Sequence, residues 1–197
     1  MKKDSQHQDF VLLLILFVAF RVMTLLLLRP GGYIADYSEY NTGYLAFARW
    51  SDKGLYPFIH YWLEWPPLFP WLVVGAYRLS LLVPPWVDPR LWYDIFLGLA
   101  LLFFETGNLV VIYLLALELY DKGKAFKSAL IYTLLFTPLY FWLGWLDSMP
   151  LFFLLLGLYL LIRQRATSAG IALGLGFMIK ITPAIIVAVG WKALNSL

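Results

Sequence analysis

Five ionisable side chains stand where an otherwise apolar chain has little use for them: Asp36, Glu39, Glu64, Asp147 and Lys180. A carboxylate in such a place can take a proton from a hydroxyl or hold a hard divalent cation, and an ammonium can meet a phosphate or pair with an acid. Asp36 and Glu39 share the stretch Arg29-Pro30-Gly31-Gly32-Tyr33-Ile34-Ala35-Asp36-Tyr37-Ser38-Glu39-Tyr40. Asp36 reads equally as a base and as the N-cap of a helix beginning at Tyr37, with Glu39 at the third helical position as in a capping box. One turn apart, the two could also share a Mg or Mn ion, although two acids make a thin metal site. Glu64 precedes Trp65-Pro66-Pro67, whose prolines fix the local backbone and hold the acid in place; the alternative is a loop salt bridge to Arg49, Lys53 or Arg90. Lys180, three residues before Pro183, needs an anion, either a carboxylate such as Asp147 or a phosphate.

The elements that must carry these residues are membrane helices. Of 197 residues, 62% are hydrophobic, 19% aromatic and only 14% charged, with a mean hydropathy of +0.75. Those values exclude an ordinary soluble domain. Apolar stretches at 10–28, 91–119, 125–143, 149–162 and 168–194 approach the roughly 20 residues that a spanning helix needs, although the fourth is short. The first is too long for the apolar part of a signal peptide, lacks a cleavage site, and is expected to be retained. Lys2, Lys3, Lys122, Lys124, Lys127, Arg163 and Arg165 mark cytoplasmic segments by the positive-inside rule. These marks agree only if 68–83, interrupted by Arg78 and bounded by prolines, lies in the interface instead of crossing. The expectation is a single membrane domain over 1–197, with a first span at 10–28, an extracytoplasmic loop with interfacial helices at 29–90, and the remaining spans at 91–197. Asp36, Glu39, Glu64, Asp147 and Lys180 then all reach one face, and Pro183 should kink or break the helix beside Lys180.

Other features read as structural. Arg21 and Glu105 fall within spans and should pair across the bundle, with Asn108 joining by an interhelical hydrogen bond. His60 packs among aromatic residues, and Gly170, Gly174 and Gly176 suit close helix contact. No cysteine is present, so disulfides and thiolate chemistry are excluded. No phosphate loop, dinucleotide fingerprint, zinc-protease motif or serine elbow occurs, and no basic patch suits nucleic acid.

Taken in order, the acid of Ala35-Asp36-Tyr37-Ser38-Glu39-Tyr40, Tyr56-Pro57, Glu64-Trp65-Pro66-Pro67-Leu68, Gly144-x-x-Asp147 and Lys180-x-x-Pro183 resemble the pattern of GT-C membrane glycosyltransferases. The resemblance is to the polyprenyl-phosphate-mannose-dependent mannosyltransferase branch in particular. It implies an all-α polytopic fold, a GT-C-like N-terminal module of about five to six transmembrane helices. It also implies transfer of a sugar, mannose first, from a polyprenyl-phosphate carrier to a glycan, lipid or protein acceptor on the extracytoplasmic face, with inversion. Asp36 would be the general base, Lys180 would stabilise the leaving phosphate, Glu64 and Asp147 would bind sugar hydroxyls, and Glu39 would join Asp36 on a divalent cation. Trp145 departs from the family pattern, which has glutamine at that position. Members of that family also carry further spans, so the chain reads as a truncated or minimal core that could need a second membrane subunit. Alternatives of other classes are a lipid-carrier-binding transporter, an accessory subunit, or an inactive fragment of a larger glycosyltransferase. The localisation expected is integral to the membrane, the plasma membrane if the source is prokaryotic.

Overall fold

The computed structural model describes residues 5–28, 38–84 and 90–185. All regular elements among them are helical, with an isolated bridge between Pro57 and Tyr61 as the one extended pairing. The helices are α1 (Ser5–Leu28), α2 (Leu45–Ala48), α3 (Leu68–Ser80), α4 (Leu91–Leu119), α5 (Lys122–Leu134), α6 (Phe136–Gly144), α7 (Ser148–Ile162) and α8 (Ala166–Phe177). A π-helical turn, Tyr40–Tyr44, leads into α2, and a 3-10 turn, Arg49–Lys53, follows it.

Length separates these helices into classes. At 1.5 Å per residue, the 24 residues of α1 and the 29 of α4 extend about 36 and 43 Å, enough to cross a hydrocarbon core of about 30 Å. Among the described residues these two qualify as spans, or three if α5 and α6 count as one bent span. The expectation of five to six transmembrane helices is therefore corrected. The apolar stretches behind it are present, but α7 has 15 residues and α8 has 12, about 22 and 18 Å of helix. The stretch at 125–143 is divided by a bend of 53° at Leu135. Pro138 explains the position of this break, because its ring would strike the carbonyl of Leu134 and it has no N–H to donate there.

Packing is organised around α4, which contacts α1, α3, α5, α6 and α7, while α8 packs on α7. Two buried clusters result. One gathers Phe10, Phe17, Leu109, Tyr113, Ala125 and Tyr132, and the other gathers Tyr40, Tyr44, Phe69, Tyr93, Leu97, Trp142, Leu146 and Ile179. Arg21 and Glu105 lie between the clusters along α1 and α4. Their ion pair is 3.0 Å long and almost fully buried, as the sequence implies. Tyr132 donates to the same carboxylate at 2.9 Å, and the Arg21 guanidinium lies 3.4 Å from the Phe17 ring centroid. Asn108 joins by its amide, which donates to the Ser148 carbonyl of α7 at 3.0 Å. The opposite side of α1 exposes Leu12, Ile15, Leu16, Phe20 and Met23, as a lipid-facing surface would.

Candidate active site

The site end of the molecule is assembled by the chain that follows α1. A helix ends with carbonyls that its own backbone leaves unsatisfied, and α6 has its last carbonyls met from the first loop. Glu39 N–H donates to the Gly144 carbonyl at 3.0 Å, and the Tyr40 hydroxyl donates to the Trp142 carbonyl at 2.8 Å. Tyr93 at the start of α4 donates to the Tyr40 carbonyl at 3.0 Å, and the Trp142 indole donates to Gly98 of α4 at 3.0 Å. Three distant segments, the first loop, α4 and α6, are thereby locked into one frame.

Within that frame Tyr44 lies within electrostatic reach of three of the acids. This side chain is 1% exposed, with Phe69 and Trp65 edge-on to its ring at centroid distances of 4.8 and 5.5 Å. Burial pushes the Tyr44 phenol well above its ordinary value, the Glu39 and Asp147 carboxylates and then Glu64 add to the rise, and a backbone hydrogen bond at Leu146 opposes it. Three of the acids singled out in the sequence thus share one electrostatic neighbourhood. Glu39 lies over Gly43, where an added Cβ would strike its carboxylate. Glu64 is exposed beside Trp65 and makes no ion pair with Arg49, Lys53 or Arg90 among the described residues. His60 Nδ1 accepts from the Tyr56 N–H at 3.0 Å, a loop-closing role.

Lys180 and Asp147 complete the cluster. α8 ends at Phe177, so the chain breaks before Lys180, as Pro183 demands. Gly176 permits the break to fold back: a Cβ there would stand 2.9 Å from both Phe153 Cβ and Pro183 Cγ. Gly170 and Gly174, by contrast, would meet nothing within 4 Å, so only Gly176 of the three serves close contact. The Lys180 ammonium donates to Asp147 Oδ1 at 2.5 Å, with the two side chains 42% and 36% exposed. The carboxylate alternative for Lys180 is therefore realised, in a pair open enough to exchange partners. Asp147 precedes α7 without capping it by its side chain, and the positive end of that helix favours the carboxylate. The opening residue of α3 is tied in by Leu68 N–H, which donates to the Met178 carbonyl at 2.9 Å.

Two features escaped sequence reasoning. Asp94, 1% exposed in the first turn of α4, accepts from the Asn41 amide at 3.4 Å. Its signal was an acid at the head of an apolar helix. A cavity of about 250 Å³ also runs under the α5–α6 break, with Asp147 and Ser148 on one side and Glu105 and Tyr132 on the other. Glu105, the acid of the buried pair assigned to structure, thus lines the same cavity as Asp147. Asp36 lies outside the described residues. Among the described residues no group of three or more His, Cys, Asp or Glu side chains gathers as a metal site would. Compared with family models, curated proteins and solved structures, the chain matches none, and the functional reading rests on its sequence pattern and this geometry.

Proposed function

We propose that the chain is a membrane glycosyltransferase that moves a sugar, mannose first, from a polyprenyl-phosphate carrier to an extracytoplasmic hydroxyl acceptor. The observation that carries the reading is the Lys180–Asp147 pair, exposed enough to exchange partners, with Glu39 and Glu64 within electrostatic reach of the same Tyr44 as Asp147. Acids bind sugar hydroxyls, and a nearby ammonium that can leave its carboxylate suits a phosphate leaving group. An apolar groove of about 440 Å³ between α1 and the α5–α6 break, walled by Leu13, Phe17, Leu130, Leu134 and Leu139, offers an isoprenoid chain a seat.

In the proposed reaction the acceptor oxygen forms a bond to the anomeric carbon as the bond from that carbon to the phosphate oxygen breaks. The acceptor proton passes to the Asp36 carboxylate, and the bonding electron pair leaves on the polyprenyl phosphate, where Lys180 stabilises it. In-line displacement inverts the sugar. Glu64 and Asp147 hold sugar hydroxyls. Glu39 and Asp36 are the pair that would hold a Mg or Mn ion, which would supply positive charge beside the reacting groups.

Membranes containing the chain, supplied with a radiolabelled polyprenyl-phosphate-mannose donor, test this. Wild type should label an acceptor, Asp36→Asn should abolish labelling, and Lys180→Ala should lower donor use by on the order of 100-fold. Absence of labelling by folded wild-type protein would overturn the proposal.

A further inference from the structure

α4 is long enough to gauge the height of the helices packed along it. Near its C-terminal end Glu118 meets Arg163, just past α7, at 2.6 Å. About 21 Å up the axis, the Phe104 ring lies 5.7 Å from that of Phe153 in α7. α8 ends at this level, because a Cβ on Gly176 would stand 2.9 Å from Phe153 Cβ. About 16 Å higher, the Tyr93 ring lies 6.4 Å from that of Tyr77 in α3.

α3 fills the interval between those two levels. Its first residue, Leu68, donates to the Met178 carbonyl just past α8 at 2.9 Å, and Tyr77 is at Tyr93. From Leu68 to Tyr77 is about 13 Å of helix, close to the rise from Phe104 to Tyr93. A helix lying flat across the bundle would climb almost nothing. α3 therefore stands upright beside the first half of α4, and it starts where α8 stops. The two short helices, about 20 and 18 Å long, together exceed a hydrocarbon core of about 30 Å, which neither spans alone.

The two faces of α3 are both apolar. Phe69, Val73 and Ala76 are buried in the core. On the other side, Leu68, Trp71, Leu72, Gly75 and Leu79 follow one another at the three- and four-residue spacing of a single stripe. Leu68, Trp71 and Leu79 are 37%, 41% and 55% exposed, and a Cβ on Gly75 would meet nothing within 4 Å. The surface continues below, where Ile171 and Leu175 of α8 are exposed as well.

We propose that the lower part of this stripe faces lipid acyl chains, so that α3 and α8, far apart in sequence, complete one membrane crossing between them. Height favours lipid as the occupant. Counted from Glu118, a core of about 30 Å covers Leu68, Trp71 and Leu72 and ends near Gly75. Arg78, paired with Asp52 at 3.4 Å, then falls among the headgroups, and Trp71 lies just beneath them. The first loop thus dips into the membrane to reach the Lys180–Asp147 pair, and 68–80 returns it to the surface instead of lying in the interface plane.

The chain has no cysteine, so single cysteines on the stripe can carry a nitroxide. Leu68→Cys, Leu72→Cys, Gly75→Cys and Leu79→Cys, with exposed Lys53→Cys as a control, are read in phosphatidylcholine proteoliposomes. Collision with oxygen, which concentrates in lipid, is compared with collision with a nickel chelate, which stays in water. Oxygen should dominate at Leu68 and Leu72 and nickel at Lys53, with depth falling by about 16 Å from Leu68 to Leu79. Equal depths along the stripe would overturn the proposal, because a flat helix keeps one level. So would dominant nickel contact at Leu72, or shielding of Leu68 and Leu72 from both reagents by a second copy of the chain. If Leu68→Cys proves unfolded by circular dichroism, the fall of about 10 Å from Leu72 to Leu79 decides the matter. The stripe holds no residue assigned to sugar transfer, so either result leaves that reading to its own assay.

Discussion

Lys180 and Asp147 form the pair on which the site's chemistry and its stability part company. Each is more than one third exposed, so water screens the bond and the pair adds little to folding. Asp147→Asn should therefore cost no more than about 1 kcal/mol in a denaturation measurement. A larger loss would mean that the pair is a structural fastening. Tyr44 gives the opposite case. Its phenol is held protonated by burial and by the neighbouring carboxylates, so its native value lies above the ordinary 10.0. The stability linked to it is complete below pH 10 and is lost as pH rises from there toward the native value. Thermal midpoints measured against pH should fall more steeply above pH 10 for wild type than for Tyr44→Phe. Equal slopes would place Tyr44 in a wetter setting. At this scale the sequence was informative: an acid or a lysine in an apolar chain declares itself by type, and Asp147 with Lys180 was a named alternative. Tyr44 did not declare itself, because one tyrosine among 13 carries no mark of the residues that will surround it.

Proline and glycine decide where the helices stop. Pro138 breaks 125–143 at Leu135, and Pro183 ends α8 before Lys180. Gly176→Ala would drive its new methyl against a proline ring and a Cβ, neither of which can swing aside. A destabilisation of about 1–3 kcal/mol is expected, together with displacement of Lys180 from Asp147. A melting temperature equal to wild type would show that the segment after α8 yields freely. Hydrophobic runs foretold the first and fourth helices well, since their whole length is apolar. They overstated the number of spans because hydropathy registers composition and is blind to the lost donor and the clashing ring at Pro138. The shortness of α7 was legible in its brief apolar run at 149–162, whereas that of α8 was hidden by the longer run at 168–194.

For the molecule as a whole, the junction between its two cores is the Arg21–Glu105 pair. Arg21→Met alone leaves the Glu105 carboxylate and its Tyr132 hydrogen bond in an apolar setting, and should cost about 3–5 kcal/mol. Replacing Arg21, Glu105 and Tyr132 together by Met, Leu and Phe should recover most of that loss, as read from unfolding in detergent. If the combined variant is no better than the single one, the network specifies the fold beyond its pairing energy. The sidedness inferred from the lysines is open to a direct check because the chain has no cysteine. With membranes sealed, Lys53→Cys should react with an impermeant maleimide from outside and Gln164→Cys only after permeabilisation. The reverse pattern would invert the chain. The hydrogen bonds that close α6 have a consequence for the order in which the protein is made. Glu39 and Tyr40 leave the ribosome about 100 residues before the carbonyls of Trp142 and Gly144 that they serve. The first loop must therefore wait, with its donors satisfied by water, until α6 arrives. A nascent chain stopped short of Trp142 holds Glu39 and Tyr40 and neither of the carbonyls that fix them.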